Sequence, residues 1–376
     1  MINVLHLRDT DRVCGPGKTI LETACAANPR EFHHAVGLFL LHAERSNAYV
    51  QALEERGVDV VPIRSPHQFD PRIVRTIIRI VKERRIDIIH SHEYKSDLLA
   101  WAVSRVHRVP IMSTVHGWIR HNLKTRLYIR AGQMVLDRFD RVVAVSEQTR
   151  AAVIACGVPE DKVVVIHNAI VTENYRPEDQ APGFLRHRYR LPRDARLVGY
   201  VGRLSPEKGQ RDLLIAAAEV LRAHRDVWFV LVGDGPDRDT LARQARDTGI
   251  EDRVLFTGHL ADVRPVFRDL DIVALTSHTE GFPNVILEAL CMKTPVIATD
   301  VGGVREIVTD GVTGLLVPSH APTRIAAGLC ALLERPQWAA ELAMAGHDAV
   351  HRRFTFQHRV AREEAVCREI LASWKH

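Results

Sequence analysis

Paired cysteines and long apolar runs are both missing from this sequence of 376 residues. Its six cysteines, at positions 14, 25, 156, 291, 330 and 367, include no Cys-x-x-Cys pair. This spacing excludes a zinc ribbon and a disulfide framework, and it favours a reducing compartment. No apolar stretch is long enough to cross a bilayer, and the first apolar residues run directly into Arg8 and Asp9, unlike a signal peptide. We therefore expect a cytoplasmic protein that meets a membrane only peripherally.

A complete phosphate-binding P-loop is also missing. Gly17-Lys18-Thr19 resembles the last three residues of a P-loop, but Arg12 occupies the position five residues earlier where the motif needs glycine. A P-loop hydrolase remains an alternative that predicts loss of activity in Lys18→Ala.

The apolar residues occur in short β-branched runs that alternate with amphipathic stretches. The length and the composition, 46% hydrophobic and 26% charged, suit two soluble domains. Runs that are short and apolar throughout are typical of strands covered on both faces of a parallel sheet. We predict two doubly wound α/β domains with a ligand cleft between them. The predicted strands lie in INVLHL, AVGLFLL, VDVVPI, IDIIH, VPIMSTVH, RVVAVS and VVVIHN, then in LVGYVG, VWFVLVG, VLFTG, DIVALT, PVIAT and GLLV.

Positive charge is concentrated in the first half of the chain. The whole formal excess of +5 falls in residues 1–178, and no acidic residue lies between Asp97 and Asp137. Residues 116–139 are predicted to be rich in helix, and their basic segment, 118–130, lies on and beside an apolar stripe. Two interpretations stay open, a buried stripe with solvated arginines and a surface for anionic lipid. The stripe is Leu123, Leu127, Ala131 and Met134, and the basic residues are Arg120, Lys124, Arg126 and Arg130.

Two glutamates eight residues apart frame a predicted helix start in the second half. Pro283 suits the first turn of a helix, which places Glu280 on the preceding loop and Glu288 on the second turn. Backbone N–H groups at such a start attract a phosphate, and flanking carboxylates suit ribose and sugar hydroxyls. Acidic residues near a helix start are common, so this spacing alone does not decide the function.

Neighbouring motifs supply further groups for a nucleotide sugar. Arg203 and Lys208 lie in VGRLSPEKG after a predicted strand, where two cations would neutralise a diphosphate. The loops VGDGPD and FTGHL place glycines directly after strands, where a backbone approaches a ligand closely.

These motifs occur in the order seen in retaining glycosyltransferases of family 4. The chain resembles that family over nearly its whole length, most strongly from Val198 to Val317, through the GRL…EKG segment, the E-x7-E motif EGFPNVILE and the Gly302-Gly303-x-x-Glu306 loop. The resemblance implies the GT-B fold, with two Rossmann-like domains facing each other. It implies an acceptor-side domain in residues 1–180, joined by a C-terminal helix in residues 358–376, and a donor-binding domain in residues 181–357.

The resemblance also implies roles for single residues. Glu280 would stabilise the reacting sugar, Arg203 and Lys208 the departing diphosphate, and His116 would face sugar and acceptor. Gly15 matches the second glycine of a family pair that abuts the diphosphate, although Cys14 replaces the first. The predicted donor-binding residues are Gly15, Gly202, Arg203, Lys208, Phe282, Asn284, Val285 and Glu288.

No cofactor and no metal are expected in the reaction. Three Asp-x-Asp triplets begin at Asp9, Asp237 and Asp269, and this number is expected by chance. His90 and His92 have the spacing of metal ligands, but no third ligand is visible, so we interpret them as loop residues that touch acceptor.

The resulting prediction is a retaining hexosyltransferase of cell-envelope polysaccharide, glycolipid or glycoconjugate assembly. Its donor is a nucleoside diphosphate sugar, with UDP the expected nucleotide, and its acceptor a glycan or a lipid-linked sugar. A sugar-nucleotide epimerase or hydrolase on the same fold and a non-catalytic nucleotide-sugar binder are the alternatives. No nucleic acid partner is expected.

Overall fold

The computed structural model describes residues 1–10, 15–41, 46–65, 70–117 and 129–374. The chain divides into two compact units, one of Met1–Ala169 with Phe356–His376 and one of Ile170–Thr355. The expected boundaries lay at 180/181 and 357/358. Residues 170–180 fall in the second unit, where the backbone N–H of Ile170 bonds to the carbonyl of Phe354 and Ile170 forms a parallel bridge with Thr355.

The first unit is built on a twisted sheet of strands that pair in parallel in the order β3-β2-β1-β4-β5-β6-β7. Each overlaps one of the first seven apolar runs. The strands are β1 (Ile2–Arg8), β2 (Phe32–Leu41), β3 (Asp59–Ser65), β4 (Ile88–Ser91), β5 (Ile111–Val115), β6 (Arg141–Ala144) and β7 (Val163–Val165).

Crossover helices connect these strands, and the last helix of the chain returns to this unit. They are α1 (Gly15–Ala26), α2 (Ala48–Glu55), α3 (Arg72–Glu83), α4 (Tyr94–Val106), α5 (Glu147–Ala155) and the C-terminal α14 (Phe356–Trp374). Helix α14 is fastened by Glu364, which accepts a hydrogen bond from the Asn28 N–H, and by Arg368, which forms a bidentate ion pair with Glu31. Helix α14 therefore packs on the first unit.

The second unit repeats this architecture with the strand order β10-β9-β8-β11-β12-β13, again paired in parallel. The strands are β8 (Arg196–Val201), β9 (Val227–Val232), β10 (Val254–Gly258), β11 (Ile272–Leu275), β12 (Val296–Thr299) and β13 (Leu315–Val317). Its helices are α6 (Phe184–Tyr189), α7 (Gln210–Ala223), α8 (Arg238–Asp247), α9 (Arg264–Asp269), α10 (Asn284–Cys291), α11 (Val304–Ile307), α12 (Pro322–Glu334) and α13 (Pro336–Arg353).

Burial on both faces explains why the strand sequences are mostly apolar. Strands β4, β5, β11 and β12 are buried at every residue, as expected for parallel strands under helices. The predicted pair of doubly wound α/β domains is confirmed. None of the helices in the described part of the chain is both long and apolar enough to cross a membrane.

Candidate active site

The best-formed site of the second unit lies where its strand order reverses. Strands β8 and β11 are neighbours, but their crossover connections leave in opposite directions, so the loops after them meet at the carboxyl edge of the sheet. Open α/β sheets bind ligands at such a switch point. One loop holds Gly202–Gly209 and the other Thr276–Pro283, which are the two segments predicted to bind the donor.

An ion pair joins these loops. The ammonium of Lys208 donates to Oε1 of Glu280 at 2.6 Å, and the hydroxyl of Ser277 donates to the same oxygen at 2.6 Å. The side chain of Glu280 is 8% exposed, while that of Lys208 is 22% exposed. The sequence predicted both residues at the site but not their direct contact, which depends on the pairing of β8 with β11.

Glycines allow the loops to approach each other closely. Gly209 has φ +64°, and a Cβ there would overlap the carbonyl oxygen of Thr276. Gly302 has φ +58°, and a Cβ there would overlap the carbonyl oxygen of Glu280. A side chain at either position would therefore displace Lys208 or Glu280.

Helix α10 begins beside Glu280. Pro283 is its N-cap residue, which places Glu280 on the preceding loop and Glu288 on the second turn, as predicted. The side-chain Oδ1 of Asn284 is buried and has no hydrogen-bond partner in the described part of the chain. Phe282 is 4% exposed, and its ring lies 5.4 Å from the ring of Phe354. Its side chain is therefore buried, and only its backbone can face a ligand. Val285 follows in the first turn.

A tyrosine that the sequence analysis missed holds Glu288. The hydroxyl of Tyr175 donates to Oε1 of Glu288 at 2.8 Å, and Tyr175 is 6% exposed. Burial, together with the carboxylate of Glu288, raises the pKa of this phenol well above its usual range, so the hydroxyl stays a donor. Since 113 residues separate the two, no local sequence signal connects them.

Arg203 and Gly202 lie at the end of β8. Arg203 is exposed, and its carbonyl accepts a hydrogen bond from the Gln210 amide at 2.7 Å. Within the described residues its guanidinium forms no ion pair, whereas Lys208 is already paired. Gly202 has φ +154° and donates its N–H to the carbonyl of Val232.

In the first unit, His116 and Gly15 lie after strands β5 and β1. Both ring nitrogens of His116 are buried without a hydrogen-bond partner in the described part of the chain, and burial lowers its pKa well below the usual value. Gly15 is exposed at the first residue of α1. Cys14 lies outside the described residues.

A group of buried histidines, here called the histidine cluster and consisting of His6, His34, His90 and His92, lies on one face of the first sheet. His6 hydrogen-bonds through Nδ1 to His92 at 2.9 Å and through Nε2 to His34 at 2.7 Å. Oε1 of Glu363, from α14, lies 3.3 Å from Nδ1 of His90. Burial lowers the pKa of His34 to about 4 and those of His6 and His92 well below the usual value.

The histidine cluster corrects two expectations. His90 and His92 are 0% and 3% exposed, so their side chains do not lie on an open loop that touches a ligand. A third potential metal ligand also exists, because His6 lies within ligand distance of both. Both nitrogens of His6 are occupied by neighbouring imidazoles, which identifies a hydrogen-bonded network.

Comparison with known proteins decides the family. Residues 15–174 match the family described as Glycosyltransferase Family 4, and residues 184–348 match Glycosyl transferases group 1. A D-inositol 3-phosphate glycosyltransferase of Frankia alni is 36% identical over 313 residues, covering 77% of this chain and 74% of that protein. The chain belongs to glycosyltransferase family 4. A D-inositol 3-phosphate glycosyltransferase of Thermobispora bispora is 31% identical to this family 4 enzyme, covering 76% of this chain and 71% of the relative.

A solved structure extends the comparison to nearly the whole glycosyltransferase. Alr3699/HepE of Anabaena, crystallised in complex with UDP-glucose, has a TM-score of 0.85 and 26% identity, covering 97% of this chain and 100% of that one. The predicted GT-B fold is thereby confirmed.

The Asp-x-Asp triplet of Asp269 and Asp271 serves the fold of this glycosyltransferase. The carboxylate of Asp269 accepts hydrogen bonds from the N–H groups of Gly183 and Leu185, and that of Asp271 accepts from the Leu197 N–H. Asp237 is the N-cap residue of α8. The triplet that starts at Asp9 extends beyond the described residues.

The basic segment is described only in part. Arg120, Lys124, Arg126, Leu123 and Leu127 lie outside the described residues. Arg130 is exposed, and Met134 at the end of the predicted stripe is 75% exposed, whereas Ile129 is buried.

Proposed function

We propose that this family 4 enzyme transfers a hexose from a UDP-sugar to an acceptor hydroxyl with retention of the anomeric configuration. One observation carries the proposal. Lys208 and Glu280 are in contact beside the start of α10, and Glu288 lies about one turn further along this helix. The Anabaena neighbour crystallised with UDP-glucose supports the choice of nucleotide.

The donor is proposed to lie along α10. Its diphosphate faces the helix start, where the Asn284 and Val285 amides and the helix dipole favour negative charge, and Arg203 and Lys208 add positive charge. Glu288, held by Tyr175, accepts hydrogen bonds from the ribose.

In the proposed reaction, the bond between the sugar anomeric carbon and the diphosphate oxygen breaks, and a bond from that carbon to the acceptor oxygen forms on the same face. The acceptor proton passes to the departing phosphate. Lys208 and Arg203 stabilise the negative charge that develops on this phosphate, and Glu280 stabilises the positive charge on the sugar. His116 is proposed to face sugar and acceptor.

We propose that transfer needs neither a divalent ion nor another cofactor. Cationic side chains and helix amides already surround the proposed phosphate position. The carboxylates of Asp269 and Asp271 are engaged with backbone amides instead.

The acceptor is proposed to be a glycan or lipid-linked sugar of the cell envelope, reached at the surface of an anionic membrane. The relatives in Frankia and Thermobispora are named for a phosphorylated cyclitol, so inositol phosphate belongs in the acceptor panel. Changing the basic residues of 118–130 to glutamate should weaken sedimentation with anionic liposomes and leave UDP affinity unchanged. Unaltered sedimentation would favour a soluble acceptor. The residues to change are Arg120, Lys124, Arg126 and Arg130.

The function is tested by incubating the protein with UDP-glucose, UDP-galactose and UDP-N-acetylglucosamine against this acceptor panel. Proton NMR of the product reports the anomeric configuration. Retained configuration supports the proposal, and inversion contradicts it. Free sugar or an epimerised UDP-sugar without acceptor product would instead identify a hydrolase or an epimerase. UDP binding without turnover would indicate a non-catalytic binder.

A further inference from the structure

Three potential metal ligands meet on the second unit, beside the loops that hold Lys208 and Glu280. Asp212 lies in the first turn of α7, His278 follows β11, and His320 follows β13. We propose that Asp212, His278 and His320 form a binding site for a divalent transition-metal ion of the zinc type, which takes no part in the transfer reaction. The proposal does not depend on the proposed function.

The distances between the ligand atoms suit such an ion. Oδ2 of Asp212 lies 2.9 Å from Nε2 of His278 and 3.9 Å from Nδ1 of His320. Zinc bonds of roughly 2.0–2.2 Å place tetrahedral ligands about 3.4 Å apart, between these two distances. One carboxylate oxygen thus faces a nitrogen from each ring, and the three ligand atoms all lie within 4.8 Å of one another. Shifts of about half an ångström bring the two distances from Asp212 to the tetrahedral spacing.

The backbone of His320 supplies an independent observation. It has φ +57°, in the left-handed region that is unfavourable for residues other than glycine. This conformation lays the ring of His320 against the ring of His278, with centroids 3.7 Å apart. Strain of this kind persists where the surrounding structure or a function requires the side chain.

The ligand set and its exposure define the class of ion. Two imidazoles and one carboxylate favour zinc and its first-row neighbours over magnesium and calcium, which prefer oxygen ligands. The side chain of His320 is 69% exposed, against 24% for His278 and 16% for Asp212. An ion can therefore enter from solvent, and water completes its coordination.

The site links the two loops around the ion pair. His278 lies two residues before Glu280, and its N–H bonds to the carbonyl of Glu207 at 2.8 Å. Asp212 lies four residues after Lys208. A bound ion therefore adds a crosslink within the second unit, and we expect it to raise the unfolding temperature.

The chain offers a control for adventitious histidine binding. The half-buried His347 and the exposed His351 form a pair one helical turn apart on α13, with ring centroids 4.1 Å apart. His351→Ala removes one of these rings and leaves the proposed site intact. His320→Gly is the matched test variant, because glycine adopts the left-handed conformation without strain and the fold is retained.

The experiment uses the full chain, stripped with chelator and titrated calorimetrically with zinc chloride and separately with magnesium chloride. The unfolding temperature is measured with and without zinc, and the visible spectrum of the Co²⁺ form reports its coordination. We expect one zinc equivalent in the parent and in His351→Ala, at least tenfold weaker binding in His320→Gly and Asp212→Asn, and no comparable magnesium binding. The zinc-dependent rise in unfolding temperature should be absent from His320→Gly, whose UDP binding should equal that of the parent.

Three results would overturn the proposal. The first is the absence of zinc binding up to millimolar concentration. The second is zinc affinity in His320→Gly equal to that of the parent, which would assign the ion to the histidine cluster or another surface. The third is loss of binding in His351→Ala. Transfer activity enters none of these readouts, so they are distinct from a failure of the proposed reaction.

Discussion

Replacement of Tyr175 by phenylalanine tests how the ribose of the donor is recognised. The change removes the hydroxyl that holds Oε1 of Glu288 at 2.8 Å and keeps the buried ring. The carboxylate then loses the hydrogen bond that orients it before the ligand binds. Ordering one mobile side chain on binding costs about 0.5–1.5 kcal/mol. UDP affinity should therefore fall by about two- to tenfold.

The ribose hydroxyls provide the specific readout. Calorimetric titration of parent and Tyr175→Phe with UDP and with 2′,3′-dideoxy-UDP gives a thermodynamic cycle. Because the dideoxy nucleotide offers Glu288 nothing to bind, the substitution should leave its affinity unchanged. The kcat with UDP-sugar should change little, since Tyr175 lies beside Glu288 and the reacting sugar is assigned to Glu280.

Tyr189→Phe is the matched control for the loss of a phenol. The Tyr189 hydroxyl accepts a hydrogen bond from Arg188 on the surface, away from Glu288. An equal loss of affinity for UDP and its dideoxy analogue in Tyr175→Phe would refute the reasoning, because it would show a general distortion of the site. Unchanged affinity for both would show that Tyr175 does not position the carboxylate.

Three further predictions follow from the structure. Glu288→Ala should weaken UDP binding by about 1–3 kcal/mol, because the ribose hydroxyls lose their acceptor. Glu280→Ala should lower kcat more than donor affinity in steady-state kinetics. A change in KM alone for Glu280→Ala would contradict the role assigned to Glu280. Transfer should persist after removal of divalent ions by chelator, and complete loss that manganese restores would revive an Asp-x-Asp site. Stability to urea should fall as the pH drops from about 6.5 to about 4. Unfolding frees four histidines, three of the histidine cluster and His116, to bind protons, because burial lowers their pKa values in the folded protein. Burial raises the pKa values of Glu93 and Asp97 to about 7, so unfolding releases two protons from these carboxyl groups and offsets two of the four that the histidines take up. Near the middle of this pH range the net uptake of about two protons corresponds to a slope of about 2.7 kcal/mol per pH unit, and constant stability from about pH 6.5 to about pH 4 would contradict the prediction.

Local patterns were sufficient to predict the secondary structure around the site. Each of the thirteen apolar runs overlaps one strand, because parallel strands buried on both faces are predominantly apolar. Pro283 marked the start of α10, which fixed the positions of Glu280 and Glu288 relative to the helix. Both features depend on neighbouring residues, so the sequence displays them directly.

Contacts between segments that are distant in the chain could not be predicted from the sequence. The histidine cluster depends on strand register, since His6 pairs with His90 across β1 and β4, and His34 lies diagonally across β2. The available signal was a histidine interrupting each of these apolar strands, but an isolated histidine does not reveal its neighbours. The first domain boundary was displaced for a similar reason, because the bridge from Ile170 to Thr355 joins residues far apart in the chain.

The contact between Lys208 and Glu280 explains how one site can stabilise both a negative charge on the diphosphate and a positive charge on the sugar. An ammonium has three N–H groups, so Lys208 can donate one to Glu280 and keep the others for a phosphate. Oε1 of Glu280 accepts from both Lys208 and Ser277, and no described residue donates a hydrogen bond to Oε2. The carboxylate is thus oriented before the sugar arrives, and its charge holds the ammonium beside the proposed diphosphate position. The cation and the carboxylate therefore position each other, which lowers the reorganisation needed when charge develops in the reaction.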